Sequence, residues 1–301
     1  MTNEENLYRG TLLKYLKRPG LMYTVELRPP SSGLGQMDAM TSWIDLNHSI
    51  RVLTGHDTFV FFTDDAIGLA EEENLVHISS NVGTDVSASK IVPILTCNHT
   101  LEHSLMYVDR LKAQGFEALT VLGGDSFPDT PRCFPHAFML RERIRSRYPD
   151  LALGGWMNPH REVSQQVGYL SDDDFCADYY LTQIVSHHSL DRVEAFLEEC
   201  ARQGVEIPGI FGVFYYWRDN PKTLETLNQF FPVPISELRR EFATGVRPEE
   251  ILAKTILGLK SLGIEKVYLS NLGKRQVSHR FHETMLAIEG LQREGNNQAI
   301  Y

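Results

Sequence analysis

Short runs of β-branched and aliphatic residues recur along the chain, bounded by turn residues and mostly followed by stretches with an apolar position every three or four residues. The first run, 21–27, is ended by Pro29-Pro30, and 37–53 reads as the amphipathic helix after it. Runs at 58–63 and 91–96 predict a second and a third strand, and 100–114 a helix stopped by Gly115, the usual left-handed cap residue. A fourth strand at 118–122 leads through Gly123-Gly124-Asp125 and a Pro-rich loop to a helix at 135–147. A fifth strand follows at 151–156 and a sixth at 179–183. Helices at 190–203 and 248–262, stopped by Gly204 and Gly263, precede strands seven and eight at 207–214 and 266–270. Eight strands alternating with helices predict an α/β chain folded as a single (β/α)8 TIM barrel over 1–301, with a short N-terminal extension and a frayed tail at 294–301. An open doubly wound sheet is the rival fold, but Pro29-Pro30 occupies the place where such sheets carry a Gly-rich dinucleotide loop. The connections 77–89 and 220–245 are expected to be irregular.

Composition narrows the function. Hydrophobic residues make up 42% of the 301, enough to bury a sizeable core. Lys and Arg number 29 against 39 Asp and Glu, and this net charge of −10 argues against a nucleic-acid partner. No run is long and apolar enough to span a bilayer, and Met-Thr-Asn-Glu-Glu-Asn lacks the features of a secretory signal, so a cytoplasmic protein with no membrane partner is expected. Cys97, Cys133, Cys176 and Cys200 are widely separated with no CxxC spacing, and reduced thiols are expected.

In a barrel of this kind the chemistry gathers at the C-terminal ends of the strands. Glu26 closes the first strand, Thr63, Asp64 and Asp65 the second, Thr96 and Asn98 the third; Asp125 follows the fourth, Asn158 and His160 the fifth, Gln183 closes the sixth and Asn271 follows the eighth. A carboxylate such as Glu26 at the mouth can serve as a general acid or form a salt bridge, for instance to Arg28. Asp125 after two glycines can meet a planar ligand or cap a turn. The Gln183 amide both donates and accepts, as recognition of a polar heterocycle requires. The aromatic run of Phe211, Phe214, Tyr215, Tyr216 and Trp217 reads as core or rim that could sandwich a ring. His187 and His188 are adjacent, and adjacent strand residues point to opposite faces, so no metal ligand set is expected.

Several phrases together resemble methylenetetrahydrofolate reductase, whose fold is the same barrel. Val25-Glu26-Leu27-Arg28-Pro29-Pro30 is similar to its Phe-Glu-Phe-Phe-Pro-Pro, and Leu95-Thr96-Cys97 to its Leu-Thr-Cys. Leu122-Gly123-Gly124-Asp125 is similar to its Leu-Arg-Gly-Asp, and Cys176-Ala177-Asp178-Tyr179…Thr182-Gln183 to its Gly-Ala-Asp-Phe…Thr-Gln, over about residues 20 to 275. The resemblance implies reduction of 5,10-methylenetetrahydrofolate to 5-methyltetrahydrofolate, with Glu26 promoting an iminium and Asp125 and Gln183 contacting the folate. It departs at the flavin. Thr63-Asp64-Asp65-Ala66 stands for Thr-Tyr-Gly-Ala, Ile94 for a His, Gly123 for an Arg, Trp156-Met157-Asn158-Pro159-His160 for Tyr-Pro-Glu-Gly-His, and the family's lysine before the Ala-Asp pair is replaced near Asp172. Acidic residues thus stand where a pyrophosphate would be held. The implied site has Glu26 as catalytic acid, Asp125, Gln183, Thr96 and Phe214 toward the folate substrate, Thr63, Asp65, Trp156 and His160 toward the cofactor, and no metal. NADH or NADPH is the implied reductant, FAD and a homo-oligomeric state are left open, and a folate-dependent one-carbon transferase or folate-binding subunit is the alternative.

Overall fold

A parallel strand alternates its side chains between two faces, and closing the sheet turns one face into an interior. The computed structural model describes residues 10–64, 86–124 and 132–298. In it β1 (Met22–Leu27), β2 (Phe59–Phe62), β3 (Ile91–Thr96), β4 (Ala118–Leu122), β5 (Ala152–Met157), β6 (Tyr179–Thr182), β7 (Gly209–Phe214) and β8 (Lys266–Ser270) pair in chain order. β1 also pairs with β8, so the sheet closes as the predicted (β/α)8 barrel. The described helices are α1 (Gly10–Leu16), α2 (Gln36–Gly55), α3 (Leu101–Ala113), α4 (Ala137–Arg147), α5 (Val163–Ser171), α6 (Leu190–Gln203), α7 (Pro221–Leu227), α8 (Ile235–Ala243), α9 (Pro248–Ser261) and α10 (Val277–Gln298).

The alternation separates two cores. Val25, Leu27, Val60, Phe62, Leu95, Val121, Leu153 and Leu269 pack outward against Leu46, Ile50, Val108, Leu111, Ile256 and Leu259 of the helices. The intervening positions, among them Phe59, Phe61, Val92, Tyr179, Leu181 and Tyr268, form a second cluster inside the barrel. At about 1.5–3 kcal/mol for each fully buried large apolar side chain, both layers hold the ring of strands in place. The N-terminal end is stoppered: Leu12, Leu13 and Leu16 of α1 join the inner cluster, and Thr11 donates from N and Oγ1 to Glu117 Oε2 at 2.6 and 2.8 Å. Lys266 Nζ, buried at the same end, donates to Arg18 O and Gly20 O at 2.7 and 2.6 Å, and burial lowers its pKa. Among the described residues the other end is open.

Several boundaries differ from the sequence expectation. β6 stops at Thr182, one residue before Gln183, whose Oε1 accepts from Ile184 N at 3.0 Å and opens the turn. The segment 220–245, expected to be irregular, holds α7 and α8: Asn220 caps Thr223 N, Pro221 starts the first turn, and Leu224 and Leu238 bury on the inner cluster. Of the expected tail, 294–298 continue α10, after an Arg293–Glu289 ion pair one turn apart at 3.3 Å, and 299–301 lie outside the described residues. Of the expected loop 77–89, residues 77–85 lie outside the described residues, and Ala88–Lys90 forms a 3-10 turn capped by Ser87. All four cysteines are free thiols, and burial pushes Cys97 up to about 12 and Cys200 up to about 11.

Candidate active site at the open barrel mouth

Counting inward positions up each strand brings Glu26, Thr96, Leu122, Trp156, Phe214 and Ser270 to one layer at the C-terminal end, with Gln183 just beyond β6. They line a cavity of ≈ 400 Å³, within the roughly 300–1,000 Å³ of small-molecule sites. Thr63, Asp64 and Arg28 complete its polar side, and Phe230 and Phe231, between α7 and α8, its apolar side.

Ser270 Oγ donates to Glu26 Oε1 at 2.7 Å. Below it Tyr268 donates to Thr182 O at 2.6 Å, and burial, then the charge of Glu26, raises the Tyr268 pKa well above that of a free phenol. Gln183 Nε2 donates to Phe230 O at 3.2 Å, so this amide ties the α7–α8 segment to the rim while facing the cavity. Phe214 packs on Phe231, ring centroids 5.1 Å apart.

On the opposite wall Asp64 is held by three donors. Its Oδ2 accepts from Thr96 N at 2.7 Å, from Thr96 Oγ1 at 2.8 Å and from His99 Nε2 at 2.8 Å, and the His99 ring stacks on His103 at 4.7 Å. This Asp–His pair fixes a carboxylate on the cavity wall. Its role depends on a tertiary approach across 35 residues, which no local spacing in the sequence announces. Gly124 has a φ of +79°, and a Cβ there would stand 2.5 Å from Asn98 Nδ2; Arg132 donates to the carbonyls of Gly123 and Gly124 at 2.7 Å each. Gly124 therefore holds a backbone shape at the rim that a residue with a Cβ would not adopt without displacing Asn98.

Of the expected residues, Glu26, Thr96, Gln183, Phe214, Thr63 and Trp156 meet at the cavity. His160 is spent elsewhere, its Nε2 donating to Ile184 O at 2.8 Å, and is not among the cavity's lining residues. Asp125 and Asp65 lie outside the described residues. Phe230 and Phe231 were missed because they sit in the segment read as irregular; two adjacent aromatics in a polar stretch were the available signal. The expectation that His187 and His188 face opposite ways fails, because β6 has already ended and the turn that follows aims both rings at Glu241 of α8.

A second cavity of ≈ 440 Å³ adjoins the first, sharing Phe214, Leu227 and Asn271, and is lined also by Tyr216. The buried Tyr216 hydroxyl has no hydrogen-bond partner among the described residues, and burial raises its pKa.

Among the described residues no helix is long and apolar enough to cross a membrane. No protein-family model matches the chain, and no curated protein matches it in sequence. Among solved structures it is similar, at TM-score 0.65 and 17% identity over 93% of this chain and 98% of that one, to an uncharacterized protein from Clostridium thermocellum that binds two copies of 5-methyl-5,6,7,8-tetrahydrofolic acid. A 2,3-dimethylmalate lyase of the PEP mutase/isocitrate lyase superfamily aligns at TM-score 0.49 and 11% identity, over 94% of this chain and 85% of that one. What the first of these likenesses shows is the barrel that the strand pairing already defines.

Proposed function

We propose that the mouth cavity binds a reduced folate and that the chain reduces 5,10-methylenetetrahydrofolate to 5-methyltetrahydrofolate with NADH or NADPH. The observation that carries the reading is the meeting of Glu26, Gln183 and an aromatic wall of Phe214, Phe230 and Phe231 in one cavity. A carboxylate, an amide that can both donate and accept, and flat apolar faces are what a pterin ring demands. The folate-binding neighbour of the same fold supports the ligand class.

In this reading Glu26 gives its proton to the ring nitrogen that leaves as the imidazolidine opens, and Ser270 Oγ holds the carboxyl in place. The resulting iminium carbon accepts hydride from the nicotinamide, which is oxidised as the methyl group forms. The carboxylate left on Glu26 offsets the cationic charge. The described residues do not fit a flavin dinucleotide: a pyrophosphate near Thr63 would meet the Asp64 carboxylate, and His160 is already committed to a carbonyl. A nicotinamide dinucleotide also carries a pyrophosphate, which in this reading lies away from Asp64.

The experiment is nicotinamide oxidation by flavin-free protein with methylenetetrahydrofolate. Turnover is expected, and Glu26→Gln is expected to cut it by about 100-fold or more while folate binding persists. Full activity in that variant removes Glu26 from the chemistry. No turnover, even with FAD supplied, together with retained folate binding, moves the assignment to a folate-dependent one-carbon transferase or folate-binding subunit. The acidic Asp64 wall is the observation that favours that second reading.

A further inference from the structure

Outside the cavity, where the turn after β6 meets α8 and α9, two imidazoles and a carboxylate converge. His187 Nε2 lies 3.3 Å from Glu241 Oε1, and His188 Nε2 lies 3.1 Å from Glu241 Oε2. One ligand atom from each residue falls within 4.8 Å of the others. Ligands bonded at about 2.0–2.1 Å to a tetrahedral ion stand about 3.3 Å apart; the two Nε2 contacts go to different Glu241 oxygens, and the set as a whole lies within 4.8 Å, a spread that small rotations of these side chains bring onto one ion.

The proton inventory points the same way. Thr255 Oγ1 gives its hydrogen to Ile251 O at 3.1 Å, so toward His187 it accepts, at 2.9 Å from Nδ1 and 3.4 Å from the backbone N. Nδ1 therefore carries the ring proton, and Nε2 turns a lone pair toward a carboxylate oxygen. Two acceptors at that distance repel each other unless a cation joins them. A ring anchored through one nitrogen, with the other facing a carboxylate, has the arrangement of a metal-bound histidine. Lys254 Nζ, on a side chain 37% exposed, contacts Glu241 Oε1 at 2.8 Å and is the resident competitor. Glu241 Oε2 faces His188, and Glu237, one turn earlier on α8, adds negative charge acting on that ring.

We propose that His187 Nε2, His188 Nε2 and Glu241 form a site for a first-row divalent transition ion, with Zn²⁺ the best match to two imidazoles and one carboxylate and a fourth position open to water. The ion would fasten the turn after β6 to α8, behind the segment that brings Phe230 and Phe231 to the cavity.

The test uses the untagged full chain, stripped with a chelator and titrated with Co²⁺ and then Zn²⁺. One equivalent of Co²⁺ with the visible absorption of a tetrahedral site, displaced by Zn²⁺, is expected. His188→Ala and Glu241→Gln should each weaken binding at least about 10-fold, and Thr255→Val about 10-fold through loss of the Nδ1 anchor. Lys254→Met should tighten it by removing the competing ammonium. Circular dichroism establishes that each variant is folded. Absence of saturable one-equivalent binding in the wild type overturns the site, as does affinity unchanged across the His188, Glu241 and Lys254 variants.

Discussion

Gly154 lies directly across from Tyr179 in the β5–β6 register, and Gly212 across from Tyr268 in β7–β8. A Cβ at either position would stand 2.5 Å from the facing ring. The glycines are there for the tyrosines, whose rings lie across the barrel interior and end in hydrogen bonds, Tyr179 with Thr120 Oγ1 at 2.8 Å and Tyr268 to Thr182 O at 2.6 Å. Gly212→Ala is accordingly expected to cost about 1–3 kcal/mol in a urea titration and to weaken folate binding, since it displaces the ring beneath Glu26. Gly168→Ala in α5, where an added Cβ meets nothing within 4 Å, is expected to be stabilising by about 0.5–1 kcal/mol. Equal losses in the two variants would show that contact with the tyrosine is not the cause. Glu26→Gln belongs at this scale too, as a loss of turnover with binding kept.

At the scale of elements, α8 is tied to the barrel by charge. Glu241 accepts from Lys254 Nζ at 2.8 Å and faces both histidines. Burial acts to raise its pKa, but Lys254 and His188 outweigh burial and hold it below the usual carboxylate range. A depressed carboxylate stabilises the fold above its unfolded value, and the contribution disappears as pH falls through the folded one. His187 has a lowered pKa, from burial first and His188 second, so its neutral form belongs to the fold and its contribution likewise disappears in acid. With a chelator present, the thermal midpoint of the wild type should fall below about pH 6 through His187 and again below about pH 4.5 through Glu241, and Glu241→Gln should show lower stability at neutral pH and lose the second, more acidic part of that fall. A slope unchanged in the variant would detach the acid response from this cluster. The same elements show how far the sequence could be read. Strands at 91–96, 118–122 and 266–270 have the predicted bounds because apolar runs between turn residues are a local signal. Glu26, Thr96, Gln183 and Phe214 were legible because the end of a strand and the parity of its pleat are also local. The Asp64–His99 pair and the partnership of Glu241 with His188 join residues 35 and 53 positions apart, and neither is written in any spacing. In 220–245 the helices were hidden by short length and polar composition, and burial of Leu224 and Leu238 on the barrel decided their form.

Across the whole molecule the two ends of the barrel are built for different tasks. α1 stoppers one end with three buried leucines, and deletion of residues 1–16 is expected to cost on the order of 5 kcal/mol and to lower the thermal midpoint by roughly 10 °C or more. Affinity for the proposed folate, measured well below that midpoint, should be unchanged, because the cavity lies at the far end; a parallel loss of affinity would contradict this separation. Between the ends lies the layer of tyrosines and threonines, in which Thr182 Oγ1 also accepts from Gly212 N at 3.0 Å. With its hydroxyls paired across strands, that layer acts as a depth stop. A ligand as deep as this floor would have its remaining length directed toward the rim, where Phe230 lines one cavity and Tyr216 the adjoining one, so the floor sets how much of a molecule the barrel can hold and the rim residues what lies beside the rest.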